Sequence, residues 1–215
     1  AEYPVLAQEL LELTGINVEI NQCGMLMLNA EDKRDAFVWA NEYQQNISYL
    51  NTVEIEQLSS FLGKFNNAVY LPHVANVRNP KLLQALIKAL ALMGVSHIVD
   101  AEVCEWHQTQ GQLTRVQTTK QISYEADAFV VAAGAWSGAL LQALQLQIPV
   151  KPIKGQMLLY KLPEQVLHHI VLHQGHYLIP RQDGHILCGS TLEDAAFDKQ
   201  TTPQALALLS ESAHK

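Results

Sequence analysis

The chain has 215 residues, of which 48% are hydrophobic and 16% charged, and its formal net charge is -7. That composition excludes intrinsic disorder, which needs low hydrophobicity and high charge. The negative balance argues against a nucleic-acid or anionic-membrane surface, and no stretch approaches the roughly 18 apolar residues of a membrane-spanning helix. Cys23, Cys104 and Cys188 are odd in number and form no CxxC pair, so they read as reduced thiols of a cytoplasmic protein. Ala1 to Pro4 lack a basic n-region and an apolar h-region, and a start on Ala rather than Met points to a processed or excised piece. The first 60 residues carry ten acids against Lys33 and Arg34, the pattern of a solvated helical face.

In chain order, Pro4 to Thr14 has apolar residues at helical spacing with Gly15 as C-cap. Extended runs are predicted at 17–21 and 24–29, then a helix over 30–45 with Glu31, Asp32 and Asp35 in its first turns. A short helix follows at 54–62 and a strand at 67–71. Asn79 and Pro80 open a strong helix ending at Gly94, apolar on most faces and so expected between two layers. Strands are predicted at 96–100, 101–109, 112–118 and 121–124. The run Ala128–Ala132 has the continuous apolar pattern of a strand covered on both faces. Residues 137–146 read as a helix with Ser137 at its N-cap. Strands at 156–162, 170–173, 176–181 and 185–190, with a turn at Asp183-Gly184, precede a last helix from Pro203 to His214. The fold class is α+β, with a βα unit in its middle third.

Three segments invite chemistry. Small residues Ala132, Ala133, Gly134 and Ala135 at the end of a buried strand let backbone approach a large planar ligand, or simply pack a helix closely. No GxGxxG or GxxxxGK[ST] occurs anywhere. Five histidines fall between His168 and His185, but the segment reads as extended with no Cys or carboxylate at ligand spacing, so no metal site is expected. Tyr177 and Arg181 share one face of a strand at period 2, which suits either a small carboxylate or a structural hairpin.

The ordered set Val130-Val-Ala-Ala-Gly-Ala-Trp-Ser137, Val150-Lys-Pro-Ile-Lys-Gly-Gln-Met157 and Tyr177-Leu-Ile-Pro-Arg181 through Gly189-Ser-Thr-Leu-Glu193 resembles the D-amino-acid oxidase family of FAD enzymes. The likeness extends to Tyr3-Pro4, Gly24-Met-Leu-Met-Leu28 and Asn79-Pro80, and is greatest to the branch that oxidises glycine for thiamine biosynthesis. The family opens with a strand–GxGxxG–helix unit and closes with a Gly-Leu-Arg-Pro segment, so the resemblance implies an internal fragment. It implies a mixed-sheet substrate domain at 1–70 and 149–215, and the middle of a Rossmann-like FAD domain at 71–148.

It further implies Tyr177 as the active-site tyrosine, with Leu192 and His176 near the substrate and Tyr177 sharing a cavity with Leu192. Val103, Ala133, Gly134 and Trp136 take cofactor-side positions. The implied chemistry is oxidation of glycine, sarcosine or a D-amino acid by hydride transfer to the flavin, followed by reoxidation by oxygen. No nucleic acid or membrane partner is expected, and a homo-oligomer is compatible with it. A related flavin dehydrogenase, the oxidase domain of a tRNA-modifying enzyme, or a non-catalytic module with the same fold stay open as alternatives. The fragment alone is expected to hold FAD weakly, because no phosphate-binding loop is present.

Overall fold

A proline in the first turn and a left-handed glycine after the last give helix α1 (Tyr3–Thr14) its limits; Gly15 donates to the Leu11 carbonyl at 2.8 Å. The computed structural model describes residues 2–29 and 33–214. After α1 come β1 (Met25–Leu28), α2 (Lys33–Glu42), β2 (Ser48–Asn51), α3 (Thr52–Leu58), β3 (Asn67–Leu71) and α4 (Asn79–Leu92). Next are β4 (Val103–Thr109), β5 (Gln112–Thr118), β6 (Ser123–Glu125) and α5 (Ser137–Gln142). The chain closes with β7 (Met157–Lys161), β8 (Ile170–His173), β9 (His176–Pro180), β10 (His185–Gly189) and α6 (Pro203–His214). The architecture is α+β, as expected, in two compact units: Ala1–Val95 with Gly155–Thr191 and Thr201–Lys215, and Ser96–Lys154 with Leu192–Gln200.

The first unit is built on a seven-stranded sheet in the order β2-β3-β1-β8-β9-β10-β7. Every pairing is antiparallel except β1 with β8, where Leu26 lies beside Val171. Alternation along each strand puts Leu26, Leu28, Ala68, Val171 and Leu178 on one face, where they pack with Ile55, Leu62 and Phe65. Cys188 is on that face too: it is buried beneath α6, its thiol reaches the Leu209 carbonyl at 3.6 Å, and burial pushes its pKa up. A second core joins Leu10 and Val18 to Ala85 and Ala89, clamping α1 to α4. Gly24 is required twice over: its φ is +71°, and a Cβ there would lie 2.7 Å from the Tyr70 ring.

Several sequence expectations need correction. Residues 96–100 form no strand, and 17–21 contribute only a bridge from Asn21 to Asn76. Ala128–Ala132 belongs to no strand of either sheet among the described residues, and Val130 is 91% exposed. Helix α4 buries Ala85 and Ala89 and leaves Leu83, Ile87, Leu90 and Met93 exposed, so it is covered on one side rather than sandwiched. Arg78 takes its N-cap, one residue before Asn79, and Met93 its C-cap. Trp136, not Ser137, caps α5, which stops at Gln142. The unanticipated β2 runs straight into α3 through a capping box, in which Asn51 accepts from the Glu54 amide and Glu54 accepts from the Asn51 amide. The predicted start of α2 at 30–32 lies outside the described residues.

A charge cluster ties α4 to the β9–β10 turn. Arg78 donates to Glu19 at 3.0 Å and to Asp183 at 2.7 Å, Lys81 also pairs with Glu19, and His185 Nδ1 lies 2.9 Å from Asp183. Burial resists ionisation of Glu19, but its bonds from Lys81 and Arg78 outweigh that and lower its pKa. The Arg78 and His185 bonds hold the Asp183 carboxyl far below the usual carboxylate range. A depressed folded pKa gives stability that is whole above the unfolded value and lost as pH falls toward the folded one. Thermal melting of wild type and Asp183→Asn should therefore differ above pH ~4 and converge below it. A gap that widens on acidification contradicts the assignment.

Candidate functional site

The opposite face of the seven-stranded sheet is apolar and partly open. The β9–β10 register sets Tyr177 opposite Gly189, and the β10–β7 register sets Gly189 opposite Met157. The three residues thus stand side by side on one face. A Cβ on Gly189 would lie 2.9 Å from Tyr177 Cζ, Tyr177 Oη and Met157 Cγ alike. Gly189 is therefore the seat over which the tyrosine ring lies. The Tyr177 hydroxyl reaches Met157 Sδ at 3.5 Å, and Met157 and Leu159 continue the face at 52% and 61% exposure. Gln156 N donates to Thr191 Oγ1 at 2.9 Å and Thr191 N to the Gln156 carbonyl at 3.2 Å, which fixes the ends of β7 and β10 beside the phenol.

The strand that holds Tyr177 turns back through a short hairpin. Arg181 N donates to the His185 carbonyl at 2.8 Å, and Gly184 N to the Arg181 carbonyl at 3.1 Å. The Arg181 guanidinium is committed to Asn76 Oδ1 at 2.8 Å and the Val77 carbonyl at 3.0 Å. Burial and the nearby Arg78 lower its pKa. Of the two open readings for this pair, the structural hairpin is the one observed. His176 follows the pleat to the other face, opposite His173, so the structure does not bring it to the Tyr177 hydroxyl.

In the second unit, Val103 opens β4 opposite Thr118 on the three-stranded sheet β4-β5-β6. Trp106 in the same strand donates to the Leu140 carbonyl at 3.1 Å, holding α5. Ala133 and Gly134 end a segment in which no N–H from Asp127 to Ala133 donates to a main-chain carbonyl among the described residues, and their own carbonyls accept from Trp136 N and Ser137 N. Gly134 has φ +53°, and nothing lies within 4 Å of a Cβ built on it. Trp136 is 49% exposed and stacks on Phe197 at 5.3 Å, with Lys199 Nζ 5.2 Å from its ring centre. Lys154 donates to Asp198 at 2.9 Å and lowers its pKa, pinning the Phe197 loop. Leu192 belongs to this unit and is 84% exposed.

These residues fit FAD as a flank and not as an anchor. Small side chains, an open glycine and main-chain N–H groups at 127–133 that donate to no main-chain carbonyl suit the close approach of a flat cofactor. The two phosphates need a glycine-rich turn at a helix start, and no such motif is in the sequence. Among the described residues, no group of three or more His, Cys, Asp or Glu is placed to hold a metal ion. Met157 and Gly189 stood in the sequence motifs without a role, and Phe197 and Lys199 were not singled out at all. A glycine ending a strand opposite a tyrosine was the available signal for the first two, and the second pair had none.

The family model described as FAD dependent oxidoreductase matches residues 2–215. A glycine oxidase of Pseudomonas putida is 43% identical over 98% of the chain and 58% of its own length. A bifunctional protein ThiO/ThiG of Trichormus variabilis is 31% identical over 98% of the chain and 32% of its own length. Among solved structures, glycine oxidase from Geobacillus kaustophilus aligns with a TM-score of 0.92 and 25% identity, covering 99% of the chain and 59% of its own. The chain thus spans well under two thirds of the relatives it matches.

Proposed function

This chain belongs to the FAD-dependent oxidoreductase family, and on that premise we propose that it is part of an enzyme oxidising glycine or a similarly small amino acid. The observation that carries this reading is the Tyr177 phenol, seated over Gly189 at the end of an open apolar sheet face. Such a face offers apolar contact to a small substrate, while one fixed hydroxyl offers a hydrogen bond for its orientation. FAD, when bound, supplies the two-electron oxidising power. Met157 restricts the space beside the phenol, and the Gln156–Thr191 bonds keep both strands from shifting. We assign Tyr177 to the substrate, and Val103, Ala133, Gly134 and Trp136 to the cofactor's flank, with Leu192 at the substrate side.

The names of the relatives support glycine as the first substrate to try, with sarcosine and D-alanine beside it. The ThiO/ThiG relatives support a place in thiamine biosynthesis. All three cysteines are free thiols, which favours the cytoplasm. No described helix is long and apolar enough to cross a membrane. Steady-state peroxide release from the full-length protein tests the assignment of Tyr177. Tyr177→Phe should raise KM for glycine about tenfold through the lost hydrogen bond, with a smaller change in kcat. Unchanged kinetics in that variant would remove Tyr177 from the site.

A further inference from the structure

A cavity of about 330 Å³ lies on the side of the sheet that carries α6, at the closed end of the β8–β9 hairpin. Its volume matches the small end of ligand pockets. Phe65, Leu167 and Val171 form its apolar wall, and the α6 carboxyl end, with Ala213 and His214, forms one rim. His173 and His176 are direct cross-strand partners and both face it. Each has its Nδ1 buried without a hydrogen-bond partner. Neither imidazole is held by the fold through that atom: His173 meets Phe65 only edge to face, with ring centres 5.0 Å apart. Lys64 adds a cation beside the wall, 5.4 Å from the Phe65 ring centre. The side chains that line the cavity include the basic groups Lys64, His173, His176 and His214, and no carboxylate among the described residues.

Buried imidazole nitrogens left without partners cost free energy, and a cavity lined this way fits an acceptor rather than water alone. We propose that this cavity binds a small amphiphilic carboxylate, its oxygens on His173 and His176 and its hydrocarbon body against Phe65, Leu167 and Val171. Tyr177 also borders this cavity, but its hydroxyl stands over Gly189, and the proposal does not depend on the oxidase reading. His176, which sequence resemblance set near the substrate, serves this second site.

Calorimetric titration of the full-length protein with octanoate and with octanol, both with excess glycine present, tests the assignment. Octanoate should bind wild type about tenfold or more tighter than its neutral counterpart, the gain expected of a charge-assisted pair. His173→Leu should bring the two ligands to nearly equal affinity, and Ala213→Trp, which fills the rim, should abolish binding of both. If His173→Leu fails to fold, the wild-type ratio and the Ala213→Trp titration decide alone. Equal affinity for both ligands in wild type, no binding of either, or octanoate binding undiminished in Ala213→Trp would overturn the proposal.

Discussion

Gly189→Ala is expected to lower kcat/KM for amino-acid oxidation by about 100-fold, the scale of loss that a misplacement of about 1 Å produces. The added methyl would sit 2.9 Å from two atoms of the Tyr177 side chain and one of Met157, closer than carbon contacts allow. The strand is held on both sides, by Leu158 to Tyr160 of β7 and by Leu178 to Pro180 of β9, so the backbone has little room to retreat. The tyrosine ring must lift instead. Because its Oη is at the free end of the ring, the hydroxyl moves most. Stability should fall less than activity, since Met157 is 52% exposed and can swing outward. Steady-state kinetics beside a urea titration separates the two effects. A variant with wild-type kinetics would mean that the phenol is not used where it stands.

Leu26→Ala is expected to destabilise the protein by about 3–5 kcal/mol, the upper range for a leucine whose site cannot collapse. Leu26 is fully buried in the middle of the seven-stranded sheet, opposite Tyr70 on β3 and Val171 on β8. Ile55 from α3, also fully buried, covers it from above. Ladders on both flanks hold the hole open. The change leaves the Tyr177 face untouched, since Leu26 points to the other side. Urea unfolding should show an earlier midpoint with an unchanged slope. A loss under about 1 kcal/mol would mean that the core around β1 is far looser than its burial indicates.

Much of this fold was legible because single residues enforce it. Pro4 and Gly15 bound α1, Pro203 starts α6, and Gly184 turns β9 into β10, each a backbone constraint written in one letter. The β3, β5 and β8 strands matched their predicted spans for the same reason: alternation or apolar runs between turn residues. The larger failures lay where a second element decides the outcome. The Ala128–Ala132 run has the composition of a central strand, yet a ladder requires a neighbour, and none pairs with it among the described residues. Likewise, the apolar faces of α4 state what that helix is able to bury, not what covers it.

The candidate site divides along the same line. Tyr177 was visible through the ordered motifs, whereas its seat was not, because the pairing of Tyr177 with Gly189 is a matter of register across a hairpin. Arg181 shows the converse. Its spacing from Tyr177 left a small carboxylate and a structural hairpin both open, and Asn76 and Val77, more than 100 positions away, already occupy the guanidinium. His176, one residue from the phenol, faces the other side of the sheet because consecutive strand residues alternate.

The most direct test of the central claim is anaerobic mixing of the FAD-loaded, full-length protein with glycine while the flavin's visible absorption is followed. No acceptor other than the flavin is present, so bleaching reports the amino-acid half-reaction alone. Bleaching by glycine, slowed or weakened in Tyr177→Phe and nearly lost in Gly189→Ala, is the predicted result. A flavin band that stays unchanged with glycine, sarcosine and D-alanine, or that bleaches equally fast in all three proteins, would contradict the account.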